Sequence, residues 1–288
     1  MSFRSVSLVV LSVSLCFIAT PVLQAAITFD GELTVSGYTY KAKVTFQNSG
    51  GNLVVTLSNT ATERASAPGQ VLTTLFFAAN GETLSLTPVS AILPAGSDAY
   101  GKDVTTLIGY DRHGRPIYDT HFDRTVPWHI TAVGGEWAYK ADTGVNPPDP
   151  DPIYGIGSAG LGVFAPTDRF PPLTNLWGPD SVDGVQFGII PAVDDLSSSN
   201  GGLQVPLIRN TVVFTLSGLG TAEPGDIINE VGFQYGTALD EPRVIVGGNP
   251  RPLGVPEPTG LVIWSILSGG AAGLAAMRRR RAEASGRP

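Results

Sequence analysis

The chain has 288 residues, 18 basic and 25 acidic, a net charge of −7 and a single cysteine. One cysteine excludes an intramolecular disulfide, and the acidic balance argues against nucleic acid or an anionic membrane surface as a partner.

The first 25 residues carry the marks of an export signal. Arg4 supplies the positive start, Val6 to Ile18 the apolar stretch, and Gln24-Ala25-Ala26 the small residues at which a signal peptidase cuts. Cleavage after Ala25 is preferred, and Sec export machinery is the implied partner. Cys16 lies inside the apolar stretch behind Leu15, where a lipoprotein signal needs a small residue, so lipidation is not expected.

From Ile27 onward the residues alternate between apolar and polar. Tyr38, Tyr40, Ala42, Val44 and Phe46 share one face, while Thr39, Lys41, Lys43 and Thr45 share the other, as in a half-buried strand. Asn48 to Asn52 holds two glycines, and Leu53, Val55 and Leu57 resume the alternation, which predicts a hairpin. Further short strands are expected at Val71 to Phe77, Thr83 to Leu86, Val104 to Tyr110, Ile117 to Phe122 and Trp128 to Val133. Residues 146–152 contain four prolines, which lack the donor a central strand needs, so this segment is a linker or a long surface loop. After it come Gly155 to Phe164, Gly184 to Ile190, Leu203 to Ile208, Thr211 to Leu216 and Glu230 to Tyr235. Eleven or twelve short strands without a long helical period point to an all-β fold. The expected architecture is an antiparallel, jelly-roll-like β-sandwich over residues 26–254, one domain in preference to two. This segment holds 12 basic and 23 acidic residues, about −11 in all, and no cysteine, so its stability must come from an ordinary core.

Residues with catalytic or binding chemistry are sparse. His113, His121 and His129 are spaced by eight, without the short pairing of a metal site, and arginines interleave the neighbouring carboxylates; a solvated polar hairpin is the simpler reading. Asp149 and Asp151, Asp180 and Asp183, and Asp194 and Asp195 offer oxygens to calcium, but none has the alternate-ligand run with Gly and a distal Glu, and Asp-rich turns account for them. No cofactor is expected. Trp128, Trp137 and Trp177 are the candidate platform for stacking sugar rings, with core packing as the competing role. Neither a phosphate-binding glycine loop nor a Gly-x-Ser-x-Gly elbow occurs, and the chain is not expected to be an enzyme.

The C-terminal segment carries the most specific signal. Val255, Pro256, Glu257 and Pro258 precede an apolar run from Leu261 to Met277, and Arg278, Arg279, Arg280 and Arg281 follow it. Seventeen residues in a helix reach roughly 25 Å, close to the hydrocarbon core of a bilayer, and the arginines hold their end in the cytoplasm as a stop. Gly269 and Gly273 within the run would let helices approach closely, though such residues are common without a partner.

The motif, its spacing and its charge order over residues 255–281 resemble the PEP-CTERM sorting signal. The resemblance implies that an exosortase-type membrane transpeptidase recognises Val255 to Pro258 and separates the helix from the body, with 282–288 as a short cytoplasmic tail. Residues 51–60, 71–77 and 231–237 also look like segments of uncharacterised exosortase-dependent surface proteins. What this implies is an exported protein, first anchored in the membrane and then at the cell surface or outside the cell, with a structural or adhesive role. The alternatives are a carbohydrate-binding module acting on exopolysaccharide and, less favoured, a secreted hydrolase.

Overall fold

The computed structural model describes residues 26–80, 83–145 and 153–247, with the backbone of 251 and 252. The signal segment with Ala25, the 146–152 loop, the Pro-Glu-Pro motif, the apolar run and the arginine stop lie outside the described residues. Among the described residues, no helix is long and apolar enough to cross a membrane.

The fold is all-β, with 49% strand and 8% helix among the described residues. In chain order it begins with β1 (Ala26–Val35), β2 (Tyr38–Ser49) and β3 (Asn52–Asn59). Next come β4 (Leu72–Ala79), β5 (Thr87–Ile92), β6 (Asp98–Tyr110) and β7 (Pro116–Pro127). The middle of the chain gives β8 (Ala138–Lys140), β9 (Ile153–Gly157), β10 (Ile189–Ile190) and β11 (Leu207–Arg209). The last elements are β12 (Thr211–Ser217), the single helical turn α1 (Pro224–Ile227), β13 (Ile228–Tyr235), β14 (Arg243–Gly247) and β15 (Arg251–Pro252).

These strands form two sheets. One has the order β15-β1-β2-β3-β12-β5; the other runs β14-β13-β4-β10-β11-β6-β7, with β9 bridging β4 and β8. Strands from beyond residue 152 sit inside both sheets: β12 separates β3 from β5, and β13 lies between β14 and β4. The β2–β3 hairpin closes through Gly50 and Gly51, with φ of 60° and 83°, the left-handed pair that a two-residue hairpin turn requires.

Alternation turns one side of each sheet inward. In the six-stranded sheet, Ile27 lies opposite Phe46, Phe46 opposite Val55, Val55 opposite Phe214 and Phe214 opposite Ala91, so one buried row crosses five strands. Facing it, Phe77 of β4 pairs with Val231 on one side and Tyr154 on the other. The layers meet ring to ring, with centroids 5.3 Å apart for Phe46 and Phe77 and 4.9 Å for Tyr40 and Tyr235. Each side chain buried this fully contributes about 1.5–3 kcal/mol of transfer free energy before entropy is counted. β4 is buried along its whole length, because its outward side is covered too. Phe76 stacks on Phe164, and Ile153, Val163 and Val182 complete this second, smaller core.

Several sequence expectations need correcting. Thr83 to Leu86 is not strand; the strand starts at Thr87, and β-propensity alone misplaced it by one segment. Trp128 to Val133 is not strand either: His129 takes a φ of 53°, which breaks the extended run, and only the Ile92–Ala132 bridge remains. Gly155 to Phe164 and Gly184 to Ile190 keep only three and two strand residues, 155–157 and 189–190; the rest of the first segment folds as turns over the second core, and the rest of the second as a turn. The pairing is mixed and not purely antiparallel, since β10 and β11 run parallel.

Candidate functional site

The tryptophans expected to form one platform separate into two environments. Trp137 is completely buried, its ring 5.0 Å from Phe214, and no face is left for a ligand. Trp128 and Trp177 are half-buried and both lie at the base of the β6–β7 ribbon. Trp128 donates its indole N–H to the carbonyl of Gly101 at 2.7 Å, and the Lys102 ammonium stands 4.8 Å from its ring centre. Phe122 packs over Gly101, where an added Cβ would lie 2.5 Å from the phenyl ring, and meets Trp177 edge-on at 6.0 Å. Trp128, Phe122 and Lys102 therefore gather at Gly101, and Trp177 adjoins them through Phe122. Such a set can hold the apolar face of a sugar and hydrogen-bond its rim.

Trp177 is placed by a residue that sequence reading did not single out for this purpose. Glu136 is fully buried at the end of a short 3₁₀ turn, Gly134–Glu136, and its carboxyl group accepts the backbone N–H groups of Leu176 and Trp177 and contacts the Ser181 hydroxyl. Burial raises its pKa, while those hydrogen bonds and the Arg169 guanidinium pull the other way without cancelling it. The local wiring agrees with an acid form. Ser181 Oγ also lies 2.6 Å from Asn175 Oδ1, and one hydroxyl proton cannot serve two acceptors. A protonated Glu136 resolves this by donating to Ser181, which then donates to Asn175. Glycines make the contact close: a Cβ on Gly135 would fall 1.7 Å from the Thr174 carbonyl oxygen, so the 170–182 loop rests directly on the Gly134-Gly135 backbone.

The histidines do not converge. His113 sits in the ribbon's turn, its backbone N–H on Asp111, which also accepts from the backbone of Arg115. His121 lies 3.4 Å from Asp119 in the middle of the ribbon, and His129 3.2 Å from Asp98 at its base. Neighbouring members are separated by roughly 20 Å of extended chain. Asp194 is buried and accepts the backbone N–H groups of Ala65 and Leu196; Asp195 accepts from Ser197 and pairs with Arg64. Asp180 and Asp183 are exposed, and Asp149 and Asp151 are outside the described residues. Among the described residues, no group of three or more His, Cys, Asp or Glu side chains is placed to hold a metal ion.

No protein-family model matches the chain, and no curated protein matches it. Similar solved structures include the NetB toxin of Clostridium perfringens in its membrane-inserted form, at 8% identity and a TM-score of 0.18, covering 79% of this chain and 93% of that one. A chain described as a pore-forming protein is similar at 10% identity and a TM-score of 0.17, covering 79% and 89%. Likeness at this level carries no conclusion about fold or activity.

Proposed function

We propose that this is an exported, non-enzymatic surface or matrix protein of structural or adhesive type, sorted through its C-terminal segment. In this reading, signal peptidase releases residues 1–25, and a jelly-roll-like sandwich over 26–254 forms the body. Residues 255–281 then hold the precursor in the membrane until an exosortase-type transpeptidase acts on Val255 to Pro258. One observation carries the reading: Pro256-Glu257-Pro258, the apolar run Leu261 to Met277 and Arg278 to Arg281 stand in that order and at that spacing. The all-β body, with its acidic surplus and without cysteine, suits a protein that stays soluble outside the cytoplasm.

The test is the mass of the mature protein from a host that has the processing enzyme. An N-terminus at Ala26 together with loss of Leu261 to Pro288 is expected. An intact C-terminus in that host would sink the sorting reading and leave a membrane anchor. A second reading, binding of exopolysaccharide, is favoured by the convergence of Trp128 and Trp177 on Gly101 and Phe122.

A further inference from the structure

The β6–β7 ribbon projects from the end of the nine-stranded sheet, and residues 116–121 of β7 are all exposed. Among the described residues, β7 pairs with β6 alone, so every second backbone N–H and C=O along its outer side faces outward without a strand partner. Sheets usually protect such an edge by keeping it short or by placing proline or lysine on it. The other four edges among the described residues fit that expectation: β15 has two residues, β8 three including Lys140, β14 five, and β5 six including Pro88. β7 has 12, with proline only at its two ends and no lysine. Its faces are sorted as well. Tyr118 lies beside Leu107, on the side that also carries Phe122, whereas Asp119 and His121 share the opposite side.

We propose that β7 pairs antiparallel with β7 of a second copy, about a two-fold axis at Thr120. Backbone geometry permits only registers in which the numbers of opposed residues add to an even total, because outward-facing groups recur at every second residue. The neighbouring registers are unfavourable. One sets Asp119 against Asp119 of the second copy, and the other sets it against Asp123, so each places carboxylates opposite one another. Sliding further towards the base requires Arg124 at the edge, yet Arg124 is buried and donates to the Ser198 carbonyl. Sliding the other way sets His121 against Arg115 and Thr120 against Pro116. The register centred on Thr120 sets Asp119 against His121 twice, and an imidazole N–H donates to a carboxylate whether or not the ring is charged. It also sets Tyr118 against Phe122 on the other face, an aromatic cross-strand pair. The partner is therefore another copy of this chain, joined through a self-complementary edge. This inference is independent of export and sorting.

The experiment uses the full-length chain, purified in detergent and carrying Cys16→Ser. Thr120→Cys should then form a disulfide-linked dimer on mild oxidation, since directly opposed residues lie about 4.5–5.5 Å apart at Cα, within disulfide reach. Thr105→Cys, on β6, should not link. In analytical ultracentrifugation, His121→Asp should weaken the dimer about tenfold or more, and the exchange Asp119→His with His121→Asp should restore it. These side chains are exposed, so the variants keep the fold. Association through the C-terminal apolar run would not respond to them. Equal linkage at positions 120 and 105, or a dimer indifferent to His121→Asp, overturns the proposal. So does a monomer whose β7 amides are protected from hydrogen exchange, which would mean that the chain's own 253–288 segment covers the edge.

Discussion

Glu136 shows how one side chain orders a long irregular segment. Its carboxyl group gathers the amides of Leu176 and Trp177 and the hydroxyl of Ser181, and through them it fixes the loop that carries Trp177. Replacing it by alanine strands these groups in a buried site, and a loss of about 2–4 kcal/mol is expected in denaturant unfolding. Glutamine reproduces both the acceptor and the donor and should cost no more than about 1 kcal/mol. The raised pKa has a defined sign. Its stabilising contribution is complete below the value for an unfolded glutamate, about 4.3, and is lost as the pH rises through the higher value in the fold. Glu136→Gln should therefore flatten the fall in Tm over that interval; an unchanged pH profile would show that the buried carboxyl group is ionised. Nothing in the sequence distinguished Glu136 from the other 22 acidic residues of the body, because its partners lie 40 and 45 residues further along the chain. The adjoining Gly134-Gly135 was the only local sign, and a pair of glycines is common in turns.

The elements legible in the sequence are those whose alternation is uninterrupted. β2, β3 and β12 lie where the apolar and polar residues alternate, because each has one buried face, whereas β7 is exposed on both faces over 116–121 and β13 is buried on both over 231–235. β8 and β14 were missed: both are short, and their partners β9 and β13 are distant or follow a polar turn. The Trp128 to Val133 segment has strand composition but takes scattered backbone bonds, to residues 91, 93 and 99, and no continuous ladder. Half of the aromatic site was therefore visible as residue types, and its geometry was not, since Gly101 and Phe122 join the two tryptophans only through the ribbon's register. If this base binds sugar, titration with purified exopolysaccharide should shift tryptophan emission. Trp177→Ala should remove much of the shift and weaken binding by about tenfold, while Trp137, fixed in the core, provides a constant background. Unchanged emission across a polysaccharide panel would assign both rings to packing alone.

The two halves of the body share sheets, so neither is expected to persist alone. Truncation after Val205 removes β12 from between β3 and β5 and also β13, the strand that carries Phe233 and Tyr235 into the core. Such a fragment should lose cooperative thermal unfolding, read by circular dichroism, and a fragment that retains a sharp transition would establish an autonomous N-terminal unit. The order β3-β12-β5 has a temporal side as well. A chain that emerges from its N-terminus must leave a gap in the first sheet until residue 217 has appeared, and β4 lacks one neighbour until residue 235 has. Its apolar rows are thus exposed for most of synthesis or translocation, a period in which intermediates of this kind aggregate. If the chain crosses a membrane unfolded, as proposed, its body would gain resistance to backward movement only when nearly all of it has reached the far side.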